Sequence, residues 1–410
     1  MRAERKALSA ALLVAALAGC TATSDAPASS SSSRTPAAPS AGTSPGSTPT
    51  SGTPAAGTPT ASSAPAAGSV VRGKPASITT SAIGDVLPHS VVNRDASTGS
   101  GYDYTRQLEA IQPIIGRSTI GICQLETALS ADNTRLTRKN TFNSPRELAR
   151  DLRKIGFDGC STANNHTWDA GARGLRETRK VLSDNGIQAA GPADSAAASG
   201  RPATYDGPIK VAQLSYSYSL MNSIEQDTTV TPSGYPWLRD NLYAAKGAAG
   251  IIADARRAKA AGAEVVVVSM HWGGQFQPTI SRDQKQLGDA LLRSGAVDLI
   301  LGAHPHLIQP CAKINGRYVL YSLGNFISTQ GTAVGSPVGA QDGVVATVRL
   351  DRDASGRITQ SLTYQPTWVD RGDRHKVVLA SPTRQPESYR RTVAAMSAGG
   401  CDAKPAQPAS

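Results

Sequence analysis

From residue 76 onward, short apolar runs alternate with longer stretches in which apolar residues recur every three or four positions. Side chains repeat every two residues on a strand and every 3.6 on a helix, so the runs read as strands and the longer stretches as amphipathic helices. Predicted strands are ASITTSAIGD (76–85), STIGICQLE (118–126), IKVAQLSYS (209–217), AEVVVVSMH (263–271) and VDLILGAH (297–304), and FDGCSTANNH (157–166) reads as a strand running into a loop. Helices are predicted over 144–156, 169–186, 248–261 and 281–295. The first has Ser144 as N-cap, Pro145 at the first helical position, Glu147 closing a capping box and Gly156 as its stop. Gly186 closes the second, and Ser281 caps the fourth. RYVLYSLGN, GVVATVRLD and RITQSLTYQ then follow without intervening helices and read as antiparallel strands. Repeated strand-then-helix units with an antiparallel finish predict a layered α/β fold.

The chain ends depart from this pattern. MRAERKALSAALLVAALAGC places Arg2, Arg5 and Lys6 before an alanine-rich apolar stretch at 7–18. That stretch is shorter than the ~20 residues a spanning helix needs and fits an export signal over residues 1–19. Leu17-Ala18-Gly19-Cys20 resembles the bacterial lipobox. The resemblance implies lipidation of Cys20 and anchoring to the outer face of the bacterial cytoplasmic membrane, since two acyl chains hold a protein stably there. Up to residue 75 the chain is mainly Ser, Thr, Ala, Pro and Gly without an aromatic residue, a composition that stays a disordered tether. The folded domain is placed at 76–382, with 383–410 as a flexible tail.

Net charge is +11, but the basic residues are scattered and do not alternate with aromatics, which excludes a single-strand nucleic-acid binder. An anionic partner, an envelope polymer or a phosphoester, fits the balance. Besides Cys20 there are four cysteines, which allow three connectivities. Cys123 and Cys160 lie in apparent buried strands and read as free thiols, whereas Cys311 and Cys401 lie in less apolar surroundings and read as a pair.

Five of the six histidines fall at or just after strand ends. Asp85 and His89 follow the first strand, Glu126 ends the second, and Asn164, Asn165 and His166 follow the third. His271 and the pair His304 and His306 follow two more, and only His375 lies elsewhere. In open α/β sheets the carboxyl ends of the strands converge on one crevice. Carboxylate, amide and imidazole donors without thiolate suit Mn, Zn or Fe rather than a structural zinc site. Trp272, Gly273 and Gly274 after His271 are candidates to line a substrate groove.

The ordered motifs GDVLPH, QLET, ANNHTWD, MHWGGQF, GAHPHLIQP and YSLGNF resemble the CapA, or PgsA-type, capsule (poly-γ-glutamate) synthesis proteins of the calcineurin-like metallophosphoesterase superfamily. The resemblance covers nearly all of 77–330 and implies a β-sandwich flanked by helices. It also implies two divalent metal ions: Asp85 on the first, Glu126 bridging both, Asn165 and His271 on the second, and His304 and His306 on one ion each. His166 matches the superfamily's acid, with Asp169 as the carboxylate that orients it. Two departures stand out. Asp85 and His89 have three residues between them where the superfamily has one, which leaves His89 a further ligand candidate only. Gln124 also replaces the usual Asn before Leu125-Glu126. The implied function is metal-dependent hydrolysis of a poly-γ-glutamate-like polymer or a phosphoester. The alternative is a non-catalytic accessory that binds polyanion within a capsule synthesis or export complex.

Overall fold

The computed structural model describes residues 74–137 and 140–406. The export signal, Cys20 and nearly all of the tether lie outside these. In chain order the first strands are β1 (Ala76–Val86), β2 (Ile120–Leu125), β3 (Ala128–Ser130), β4 (Asn143–Pro145), β5 (Gly159–Ser161) and β6 (Gln188–Ala190). Next come β7 (Ala203–Tyr205), β8 (Val211–Ser217), β9 (Val265–His271), β10 (Leu299–Ala303), β11 (Ile308–Ile314) and β12 (Arg317–Leu323). The last are β13 (Asn325–Ile327), β14 (Asp342–Arg352), β15 (Ile358–Asp370), β16 (Lys376–Leu379) and β17 (Lys404–Pro405). One large sheet has the order β16-β15-β14-β1-β2-β5-β6, with β13 beside β1 and β17 beside β15; a second runs β11-β12-β10-β9-β8-β7, and β3 and β4 form a small sheet of their own.

The two large sheets share a core. Ile78, Ile120 and Ile122 of the first pack in one apolar cluster with Val265, Val267, Leu299 and Leu301 of the second. The intervening residues turn outward: Val266, Val268 and Ile300 pack under the helices Tyr243–Ala260 and Arg282–Arg293. On the other sheet, Cys123 and Leu125 pack under Glu147–Ile155. Both faces of each central strand are covered, which is why these strands read as continuous apolar runs. The result is the layered α/β sandwich with flanking helices that the sequence predicts.

Local differences have physical causes. Ser144 and Pro145 belong to β4, which pairs in parallel with β3, and the helix starts only at Glu147. In place of a Ser144 cap, Asn133 Oδ1 accepts the Arg146 N–H at 3.0 Å while Asn133 Nδ2 donates to both Glu147 oxygens. Ser281 does form the capping box, with Gln284. β12 is antiparallel to β11 but parallel to β10, and β13 is parallel to β1, so the C-terminal strands are not all antiparallel.

The expectation of a flexible tail needs correction. Residues Pro386–Ser397 form a helix that buries Thr392 and Met396, Arg391 pairs with Asp342, and Cys401 is bonded to Cys311. Its polar, small-residue composition hides these long-range partners. The reading of Cys123 and Cys160 as free thiols is also corrected. They are register partners on β2 and β5, their Cα atoms 4.4 Å apart, and they form a disulfide. The reading of Cys311 and Cys401 as a pair agrees with the structure. The Cys123–Cys160 link closes a loop over a sequence separation of 37. Chain entropy then gives an expected loss of about 4 kcal/mol when both cysteines become alanine, read as a lower denaturation midpoint with a slope that rises as the released denatured chain expands.

Candidate metal centre

Five strands deliver their carboxyl ends to one place. β1, β2 and β5 run parallel in one sheet, and β9 and β10 run parallel in the other. Gly84 lets β1 approach β13: a Cβ there would lie 1.9 Å from the Gly324 carbonyl oxygen, and the Asp85 N–H donates to that oxygen at 3.0 Å. Gly302 does the same for β10, where a Cβ would lie 1.9 Å from the Tyr321 carbonyl oxygen. Beyond it the backbone takes φ of 95° at His304 and 54° at His306. Non-glycine residues rarely adopt this region, and such strain concentrates at functional sites.

The side chains form two groups within reach of a common ion, each with its ligand atoms within 4.8 Å of one another: Asp85, Glu126 and His306, and Glu126, His271 and His304. All five residues are buried, Glu126 belongs to both groups, and His304 and His306 fall one in each. His306 Nδ1 lies 3.1 Å from Asp85 Oδ2, and its Nε2 lies 3.8 Å from Glu126 Oε1. His271 Nε2 lies 3.4 Å from Glu126 Oε1 and 2.9 Å from Asn165 Oδ1.

Amides hold this arrangement. Asn165 Nδ2 donates to Asn222 Oδ1 at 2.8 Å, Asn164 Nδ2 donates to the Leu125 carbonyl at 2.8 Å, and Asn325 Oδ1 lies 3.0 Å from His306 Nδ1. Asn325 therefore buttresses His306. Asn222 and Tyr218, whose ring centroid is 4.6 Å from that of His304, were not singled out by sequence. Both follow β8 in a loop without periodicity.

Electrostatics decides what the groups fit. Asp85 Oδ1, both Glu126 carboxylate oxygens and His304 Nδ1 are buried without a hydrogen-bond partner. Each such atom costs about 1–3 kcal/mol unless something supplies the missing interaction. Burial, and then the neighbouring Glu126 charge, raise the Asp85 carboxyl above its ordinary range. Burial alone would raise Glu126 as well, but the His306 and His271 rings outweigh it and hold that carboxyl low. Burial works against a charged His306, yet Glu126 and Asp85 push it up to about 9. Burial, with His271 and His306 nearby, drives His304 well below its usual value. A neutral imidazole and unpaired carboxylate oxygens are the donors a divalent cation takes, so the residues fit such an ion.

Beside the groups, His166 Nδ1 lies 2.7 Å from Asp169 Oδ2, which also accepts the Phe142 N–H at 2.7 Å. His89 belongs to neither group. Its Nδ1 lies 3.0 Å from the Leu87 carbonyl, its ring meets Phe142 edge-on at 5.0 Å, and burial lowers it to about 4. Phe142 meets His166 edge-on at 4.5 Å on its other side. Trp272 is 1% exposed and its Nε1 donates to the Tyr321 carbonyl, so it packs in the core. Trp272 and Gly273 also border a separate cavity, whose lining does not include Gly274. His375, the remaining histidine, contacts Asp95 at 2.7 Å.

Residues 79–330 match the family model described as bacterial capsule synthesis protein PGA_cap. The chain is 26% identical to the PGA biosynthesis protein CapA of Bacillus subtilis over 52% of each chain. It is 28% identical to the capsule biosynthesis protein CapA of Bacillus anthracis over 46% of this chain and 44% of that one. A probable polyglutamine synthesis accessory protein of Mycobacterium tuberculosis is 24% identical, over 52% of this chain and 57% of that one. The chain thus spans about half the length of the curated relatives it matches. Among solved structures, a calcineurin-like phosphoesterase from Bacillus subtilis aligns with a TM-score of 0.39 at 13% identity, covering 78% of this chain and 98% of that one.

Proposed function

Because this chain belongs to the bacterial capsule synthesis protein PGA_cap family, we propose that it is an exported hydrolase of the cell envelope with a dinuclear metal site. The lipid on Cys20 anchors it to the outer face of the membrane, and its substrate is a poly-γ-glutamate-like polymer or a phosphoester. It works beside a capsule synthetase. Asp85, Glu126 and His306 would hold one divalent ion, and Glu126, His271 and His304, with Asn165, the other. When bound, these ions supply Lewis acidity and activate water. The chain's own residues do the rest: Asp169 orients His166, whose Nε2 gives a proton to the leaving atom, and Asn165 is held by Asn222. The observation that carries this reading is one buried carboxylate shared by two ligand groups, with neither oxygen hydrogen-bonded.

The mycobacterial relative, a probable accessory protein, favours a second reading, in which the same site binds polyanion without turnover. Purified full-length protein supplied with Mn²⁺ separates the two. Hydrolysis of a phosphodiester or of poly-γ-glutamate is expected, and it should vanish in Asp85→Ala. Polymer binding that survives chelation, with neither substrate cleaved, would establish the accessory role instead.

A further inference from the structure

A cavity of about 590 Å³ lies against the helices Tyr243–Ala260 and Arg282–Arg293 and the segment after β9, and none of the metal-group residues lines it. Its size suits a small molecule. Its charged lining residues are Asp227 and Asp283, and no lysine or arginine lines it, although the chain as a whole carries +11. Lysines of the flanking helices are engaged elsewhere: Lys246 with Asp240 and Asp254, Lys285 with Asp289. The Tyr243 hydroxyl donates to Asp227 Oδ1, which fixes that carboxyl at the wall. Burial raises the Asp227 carboxyl, the Tyr243 hydrogen bond opposes it, and the charge of Asp283 adds a smaller upward push.

The rest of the wall fits an organic cation. Ala244, Ala248 and Leu287 give an apolar side, while Gln226 and Gln286 add side-chain carbonyl acceptors. The helix is interrupted at Gly247, with φ 60° and ψ 172°, a conformation only glycine adopts readily, and a Cβ there would meet open space. A carboxylate polymer would be repelled by this lining. A hard dication takes about six to eight oxygen ligands, so Ca²⁺ is the competing occupant that the test must separate. An ammonium needs only a few acceptors for its three N–H groups, and its stem gains from apolar contact.

We propose that this cavity is a binding site for a primary ammonium group on a short aliphatic stem, separate from the metal centre. The site takes a small amine, and it stands whether or not the metal centre hydrolyses anything. Calorimetric titration of the full-length protein with 1-aminopentane, against 1-pentanol as its uncharged counterpart, tests it. Saturable binding of the amine is expected, at least about tenfold tighter than the alcohol. Asp227→Asn and Asp283→Asn, which keep side-chain shape, should each weaken it about tenfold or more while leaving melting temperature and metal content unchanged. Equal binding of amine and alcohol, or amine binding untouched in both variants, would overturn the proposal. So would saturable Ca²⁺ binding that disappears in the same two variants and displaces the amine, because the cavity would then be a dication site.

Discussion

Glu126→Gln should take the metal content of the purified protein from two equivalents per chain to none. His304→Ala or His271→Ala should leave one, and His306→Ala or Asp85→Ala should also leave one. The asymmetry follows from membership. Glu126 is the residue common to both groups, whereas the other four each serve one. Glutamine keeps the shape of the side chain but removes the negative charge and one acceptor oxygen. Loss of a mere supporting partner weakens metal affinity 10–100-fold, so loss of a shared ligand should cost at least about 100-fold at each position. Inductively coupled plasma analysis after dialysis reads the stoichiometry, and circular dichroism checks the fold. Two retained equivalents in Glu126→Gln would remove the sharing from the picture. Loss of both in His306→Ala would show that the groups do not bind separately.

The strand ends were legible because buried parallel strands announce themselves as apolar runs, and whatever polar residue follows must sit at the crevice. Asp85, Glu126, His271, His304 and His306 all come from such positions, and the structure brings them together. What stayed hidden depends on partners distant in sequence. Ser144-Pro145-Arg146-Glu147 has every local sign of a helix start, yet pairing with β3 holds Ser144 and Pro145 extended. Cys123 and Cys160 look like ordinary apolar fillers until the register sets them side by side. The C-terminal helix lacks a strong apolar stripe and owes its place to Met396, Arg391 and the Cys311–Cys401 link. His89, which its place in the motif offers as a ligand candidate, is the N-cap residue of the helix Ser90–Asp95, with Nδ1 on the Leu87 carbonyl.

His166→Asn should slow hydrolysis of an alkyl phosphodiester about 10²–10⁴-fold, the usual contribution of a positioned general acid. The same variant should cleave a p-nitrophenyl ester almost as fast as the wild type, because p-nitrophenolate departs without a proton. The reason lies in the contact of His166 Nδ1 with Asp169 Oδ2 at 2.7 Å, which leaves Nε2 as the nitrogen free to face a leaving group. Asp169 acts through the ring, so it is a positioning residue. Asp169→Asn should give a smaller loss with the same dependence on leaving group, since both contacts are to Oδ2 and an amide oxygen in its place still accepts from the ring and from the Phe142 N–H but lacks the charge. Neither residue belongs to the metal groups, so metal content should stay at the wild-type level in both variants. If alkyl and p-nitrophenyl esters slow equally in His166→Asn, the ring orders the site rather than donating a proton, and the acid must be sought elsewhere in the crevice.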